Sequence, residues 1–422
     1  MNRLKKFFQT IKGKIAFYPS LISLLGVLLA FVMIYLEQKQ ISAYLMKVAP
    51  SLVINNLDTA QILLSTLISG LISLVVFSFS MVMVLLNQAS SNFSPRVLPG
   101  IISNQKHQVV LGIYIATILY MIFILVSIEP TGSAYQTPGF AVLIGIILTV
   151  VCLGSFIYFI HHISQSIQVG KILTSIHERT KNTILKTIKE QNAVSADFNG
   201  RDNWTDVKIN KTGYFYGILE NELLEICKEH STNVIVHILK GQFIVSGTNS
   251  FLTETPVPPE VREKIMDTLL FNNEELVGEN DVYGFRQISE IGIKAMSPGI
   301  NDPGTALSSI DCLTSLFVLY MDKREQYYLT DDNGKNRVEI KNIKFSEILY
   351  NVMTSYRIYC KHDTLVMKKL LGMLNTLATI APNSLLREAI HLEIAQLKLV
   401  INTHIDNERD VSKIETDFVS WS

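Results

Sequence analysis

Twelve residues in the C-terminal half of the chain, AMSPGINDPGTA at 295–306, combine two prolines, two glycines, an Asn-Asp pair and two hydroxyls between apolar helical patterns. Such a composition suits a reactive site, a binding loop, or a turn between two helices. Turn chemistry covers part of it. Pro298 disfavours helical geometry at Ser297, so Met296 is expected to end a helix, and Gly299 permits a positive φ. Asp302 has the identity of an N-cap, Pro303 of the first helical residue and Thr305 of the third. Ser297, Asn301 and Thr305 are less well explained. The new helix directs N–H groups and a partial positive charge toward them, which suits an anion or a carboxylate.

Elsewhere the chemistry thins out. The sequence has no P-loop, GxGxxG, HExxH or GxSxG pattern, so no catalytic residue, cofactor or enzymatic activity is expected. His391 has no second histidine four residues on and reads as part of an exposed helix face; Asp331 and Asp332 adjoin a hairpin tip and read as solvated turn residues. Cys152, Cys227, Cys312 and Cys360 lie far apart with no CxxC spacing, which suits buried thiols rather than disulfides or zinc ligands. His161, His162 and His177 follow the last apolar run and read as surface or headgroup residues; the sequence does not show the three or four convergent ligands that a metal site needs, so none is expected. A balance of 37 basic and 37 acidic residues gives no field that would draw nucleic acid.

The elements that position these residues fall into two unlike parts. Residues 1–160 carry four apolar runs, about 17–36, 62–86, 109–128 and 140–160, each near the roughly 20 residues that a helix needs to cross a hydrocarbon core of about 30 Å. Arg3, Lys5, Lys6, Lys12 and Lys14 precede the first run; Arg96 and Lys106 separate the second from the third; Lys171, Arg179 and Lys181 follow the fourth. That asymmetry predicts cytoplasmic N- and C-termini. On the second run Thr66, Ser73, Ser80 and Asn87 recur every seven residues, with Ser69 close to the same helical face. Two readings stand side by side: close helix packing through small residues, or a stripe lining a water-filled path in an oligomer. Arg96, in the Pro- and Ser-rich segment 87–108, either meets lipid phosphates or attracts anions to a pore mouth.

After the fourth run, isoleucines from Ile160 to Ile188 recur at helical spacing and predict that the span continues as a stalk through 161–200. Residues 201–256 read as a small β-rich subdomain, in which KGQFIVSGTNSFL resembles barrel-sandwich hybrid domains without a lysine placed for biotin or lipoate. Residues 257–422 read as a mainly helical domain interrupted by the hairpin YYLTDDNGKNRVEI. The expected fold is thus an α-helical membrane protein with four spans plus a cytoplasmic α+β domain.

The runs YGFRQISEIGIKAMSPGINDPGTA (283–306) and NFSPRVLPG (92–100) resemble the bacterial predicted membrane proteins of domain-of-unknown-function family 2254. Glu290 and Gln242 stand where that family tends to carry Asp. The resemblance implies a multi-pass protein of the bacterial inner membrane with a cytoplasmic C-terminal domain, and it brings no activity. It also draws attention to Arg286, eleven residues before Ser297, which reaches Asp302 only if the two helices fold back antiparallel. Arg286 is then either half of a structural clasp or a contact for an anionic ligand. Arg286, Ser297, Asn301, Asp302 and Thr305 are the ligand or gating candidates, and Thr66, Ser69, Ser73, Ser80 and Asn87 the pore-lining ones. The leading expectation is a channel or transport-like protein embedded in the lipid bilayer as a homo-oligomer, with the second span near the conducting path. The alternative is a membrane-anchored signalling or scaffold protein without a pore.

Overall fold

The computed structural model describes residues 17–48, 53–54, 56–92, 105–128, 138–166, 168–190, 198, 201–248, 250–273 and 280–421. The chain divides into two compact units, Met1–Gln168 and Val169–Ser422. Arg96, and the basic residues before Phe17, lie outside the described residues.

The N-terminal unit contains α1 (Phe17–Gln38), the short α2 (Ile41–Val48), α3 (Leu57–Asn92), α4 (Gln105–Val126) and α5 (Gly139–Ser166). Four of these, all but α2, are long and apolar enough to cross a membrane, in the places the hydrophobic runs predict. With 36 residues, α3 is about 54 Å long and so exceeds a hydrocarbon core of about 30 Å. Asn56 caps it, accepting from Thr59 N at 2.9 Å. Asn87–Asn92, in the Pro- and Ser-rich segment after the second apolar run, continue this helix, because Pro95 lies beyond them. The bundle core gathers Leu64 and Leu71 from α3, Tyr114, Tyr120, Met121 and Ile124 from α4, and Cys152 from α5. Small residues bring α1 against α4: a Cβ on Gly26 would sit 2.5 Å from Ala116 O, and one on Gly112 2.9 Å from the Ile22 side chain.

In the C-terminal unit, α6 (Val169–Glu190) buries Ile172, Leu173, Ile176, Thr180 and Ile184 and packs on two later helices, α9 and α10, described below. Part of the isoleucine spacing thus records burial within this unit, at Ile172, Ile176 and Ile184; α5 ends at Ser166 and α6 begins at Val169. Among the described residues eight strands follow, β1 (Thr205–Lys208), β2 (Gly213–Ile218), β3 (Val234–Val236), β4 (Phe243–Ile244), β5 (Ser250–Thr253), β6 (Leu269–Asn272), β7 (Gln326–Thr330) and β8 (Asn336–Lys341). They make a five-stranded sheet in the order β1-β5-β3-β8-β7 and a three-stranded sheet, β4-β2-β6. Helices α7 (Glu220–Glu229) and α8 (Pro259–Thr268) share their apolar core with both sheets.

The division expected at residue 256 is not where the chain separates. β8 runs parallel to β3, with Val234 opposite Val338 and Val236 opposite Ile340, so the late hairpin completes the sheet that the earlier segment begins. β6 likewise takes Leu269 and Leu270, inside the region expected to be mainly helical, into pairs with Ile218 and Gly217 of β2. Asp331 is not a solvated turn residue: its side chain is 1 % exposed, accepts from Asn333 N and Lys335 N at 3.0 Å each, and pairs with Arg337 at 2.9 Å. Gly334, at φ 75°, takes the left-handed position of the Asn-Gly turn. The remaining helices are α9 (Asp281–Ala295), α10 (Pro303–Tyr320), α11 (Phe345–Tyr359), α12 (Thr364–Ile380), α13 (Ser384–His404) and α14 (Glu408–Trp421).

Candidate functional site

The 295–306 segment joins α9 to α10, and hydrogen bonds of its own close it. Met296 N donates to Ile293 O at 3.1 Å and Ser297 N to Lys294 O at 3.0 Å, which ends α9. Ile300 N and Asn301 N both donate to Ser297 O, at 3.0 and 2.9 Å, and Asp302 N returns to Ala295 O at 2.8 Å. The left-handed residue is Asn301, at φ 48°, and not Gly299. Asn tolerates that region, and placing it there lets the next N–H turn back to α9. Asp302 caps α10 with both carboxylate oxygens: Oδ1 accepts from Thr305 N at 3.1 Å and Oδ2 from the Thr305 hydroxyl at 2.6 Å. The Thr305 hydroxyl first, then its backbone N–H, hold the Asp302 carboxyl below the usual carboxylate range. Ser297, Asn301 and Thr305, which turn rules left open, thus each take part in the turn or the cap.

The structure brings Asp302, Thr305 and Asn301 together and directs Arg286 elsewhere. Arg286 Nε pairs with Glu290 Oε1 at 3.1 Å, one turn along its own helix. Where α9, α10 and α11 meet, the polar contact lies deeper. Ser309 Oγ and Tyr356 Oη are 2.6 Å apart, both buried, and a Cβ on Gly292 would come within 2.1 Å of that Ser309 oxygen. At the other end of α9, Asn280 caps the helix and the buried pair Lys323–Asp281 closes at 2.5 Å.

The second span offers the other candidate surface. Thr66, Ser69, Ser73, Ser80 and Asn87 are all exposed in the subunit. Thr66, Ser73 and Ser80 each follow a buried residue, Leu64, Leu71 and Ser78, by two positions. Two residues turn a helix by about 200°, so the hydroxyl stripe looks directly away from the face that packs inside the bundle. Close packing within the subunit falls to the glycines of α1 and α4 instead. Each hydroxyl of the stripe donates back to its own helix: Thr66 to Ile62 O at 2.7 Å, Ser69 to Ser65 O at 2.9 Å, Ser73 to Ser69 O at 3.0 Å and Ser80 to Val76 O at 2.9 Å. With its proton so placed, each oxygen turns acceptor lone pairs outward.

Sequence reasoning missed a clasp at one end of the bundle. Glu37 Oε1 accepts from Ala141 N at 2.9 Å, its Oε2 from the Ser42 hydroxyl at 2.7 Å, and Ser42 Oγ accepts from Phe140 N at 2.9 Å. A carboxylate thereby closes the N-terminus of α5. Its only signal in the sequence was an acidic residue at the end of an apolar run, which is as common at a membrane surface. In the N-terminal unit His162 meets His107 edge to face, with ring centroids 5.3 Å apart; in the C-terminal unit His177 sits 3.1 Å from Ser315 Oγ and 3.4 Å from Glu178 Oε1. Among the described residues no three His, Cys, Asp or Glu side chains converge as metal ligands. Burial pushes the Cys227 and Cys360 thiols up to about 12, so both stay protonated near neutrality.

Comparison of the sequence with known proteins places the chain among predicted membrane proteins. A family model described as "Predicted membrane protein (DUF2254)" matches residues 12–376. Two relatives, Uncharacterized protein Mb1321c of Mycobacterium bovis and Uncharacterized protein Rv1290c of Mycobacterium tuberculosis, are each 22 % identical over 357 residues, covering 81 % of this chain and 68 % of theirs. No solved structure matches the chain.

Proposed function

This chain belongs to the DUF2254 family of predicted membrane proteins, and from that premise we propose that it is a homo-oligomeric channel or transport-like protein whose α3 lines a path for water and small cations. The observation that carries the reading is the outward-facing row of hydroxyls at Thr66, Ser69, Ser73 and Ser80, continued by Asn87. A polar row gains nothing from lipid, so it belongs against water or a neighbouring subunit. Because the four hydroxyls donate inward, the row offers acceptors, which suit the shell of a cation better than that of an anion. The four spans hold no Asp, Glu, Lys or Arg away from their ends, so the path would have no charged ring at its centre. In this reading the protein sits in the bacterial inner membrane; the excess of Lys and Arg in the flanks of the spans supports cytoplasmic termini, with the C-terminal unit there to assemble or regulate the pore.

The test is ion flux through the full-length protein reconstituted in liposomes. The reading expects conductance with a reversal potential displaced toward the cation, abolished by the paired substitution Ser73→Leu and Ser80→Leu. Flux that survives both substitutions would remove α3 from the path. An inserted oligomer that passes no ion at all would leave the chain as a membrane-anchored scaffold.

A further inference from the structure

The outer face of α13 carries Leu385, Leu392 and Leu399, which are 65, 63 and 62 % exposed although their helix is anchored on its other side by Leu386, Ile390, Ile394, Leu397 and Ile401. Single exposed leucines need no explanation; three at seven-residue spacing on one line are the seam of a helix that packs against another helix. The order of residues along the line is the informative part. Reading outward from Leu392, alanines stand three residues away on each side, at Ala389 and Ala395, and leucines seven residues away on each side, at Leu385 and Leu399.

A pattern that reads the same in both directions complements itself under a two-fold axis through its centre, the operation that relates the copies of an isologous dimer. We propose that α13 pairs antiparallel with α13 of a second copy of this chain, with Leu392 at the two-fold axis. Leu385 then meets the second copy's Leu399, Ala389 lies level with its Ala395, and the small alanines let the helix axes approach closely. Charge selects the direction. Antiparallel pairing puts Glu388 opposite the second copy's Gln396, whereas a parallel pair in register would set Glu388 against Glu388. Beneath the seam Glu393 of α13 is buried and paired with Arg357 of α11, so the helix that presents the leucines is fixed to the unit behind it. The seam is short, and confinement of both copies to one membrane would supply the effective concentration that a short seam needs. This deepens the homo-oligomer part of the reading above and asks nothing of the conducting path.

The experiment is oxidative cross-linking of the full-length protein in nanodiscs with copper phenanthroline, using the wild type with its own thiols as baseline. A disulfide requires Cα atoms within about 7 Å. Leu392→Cys sits on the axis and is expected to yield a covalent dimer at least tenfold above baseline. Leu385→Cys alone places its two copies about 21 Å apart, by the helical rise over fourteen residues, and is expected to stay at baseline. Combining Leu385→Cys with Leu399→Cys should restore the dimer. As a readout that needs no oxidation, Leu392→Arg should shift the assembled mass downward with the helical circular dichroism unchanged. Baseline cross-linking at Leu392→Cys would overturn the proposal, and so would equal cross-linking of Leu385→Cys alone, the signature of a parallel pair. Cross-linking without ion flux keeps the interface and sinks the channel; flux without cross-linking does the reverse.

Discussion

Asp302 shows how much of a loop one carboxylate can organise. Its two oxygens take the N–H and the hydroxyl of Thr305, and the proline that follows fixes the first turn of α10. Asp302→Ala is expected to cost about 1 kcal/mol of stability in the C-terminal unit, and Asp302→Asn less, because an amide oxygen still caps. The pH dependence has a definite sign. A carboxyl held low in the folded state contributes its stability above the unfolded value of about 3.9 and loses it as the pH falls through the lower folded value. Denaturant melts of wild type and Asp302→Ala should therefore differ at pH 7 and converge in acid below about pH 4; a difference that persists or grows in acid would refute the cap. At this scale the sequence was legible where a rule has one answer, as at Asp302 and Pro303. It was not legible at Asn301, because Gly299 satisfied the same rule, and only the return of Asp302 N to Ala295 O decides between them.

At the scale of elements, the four spans could be read, as could the end of α9 and the start of α10, since a run of apolar residues and a capping side chain are local signals. Elements that exist only through distant partners could not. β1, β5 and β6 are each four residues long and hold their shape through ladders to other strands, and α14 reads as polar surface until Ile414 and the Lys368–Asp417 pair, at 2.5 Å, dock it on α12. The isoleucine spacing of α6 was visible while the surface that buries it was not. One contact between elements is also the most sensitive to a single atom. Gly26 lets α1 reach the backbone of α4 at Ala116, and any Cβ there would have to displace that backbone. Gly26→Leu should force the two helices apart and lower the melting temperature of the detergent-solubilised protein, with Gly154→Leu as the control, since that position opens on empty space. An equal loss in both variants would mean that the crossing is not as close as described.

At the scale of the whole molecule, the seven-residue recurrence on α3 was plain in the sequence, but its direction was not. Leu64, Leu71 and Ser78 recur at the same interval as Thr66, Ser73 and Ser80, and only packing tells which line faces inward. The structure turns the hydroxyl line outward, and the proposed pore follows from what that line would meet. Substituted-cysteine labelling of the full-length protein in membranes tests this most directly. A membrane-impermeant, water-soluble thiol reagent should modify Ser73→Cys and Ser80→Cys. It should spare Ile72→Cys and Phe79→Cys, which are also exposed in the subunit but lie about 100° round the helix. Protection of all four positions, or labelling without that one-residue alternation, would contradict a water-filled path along α3.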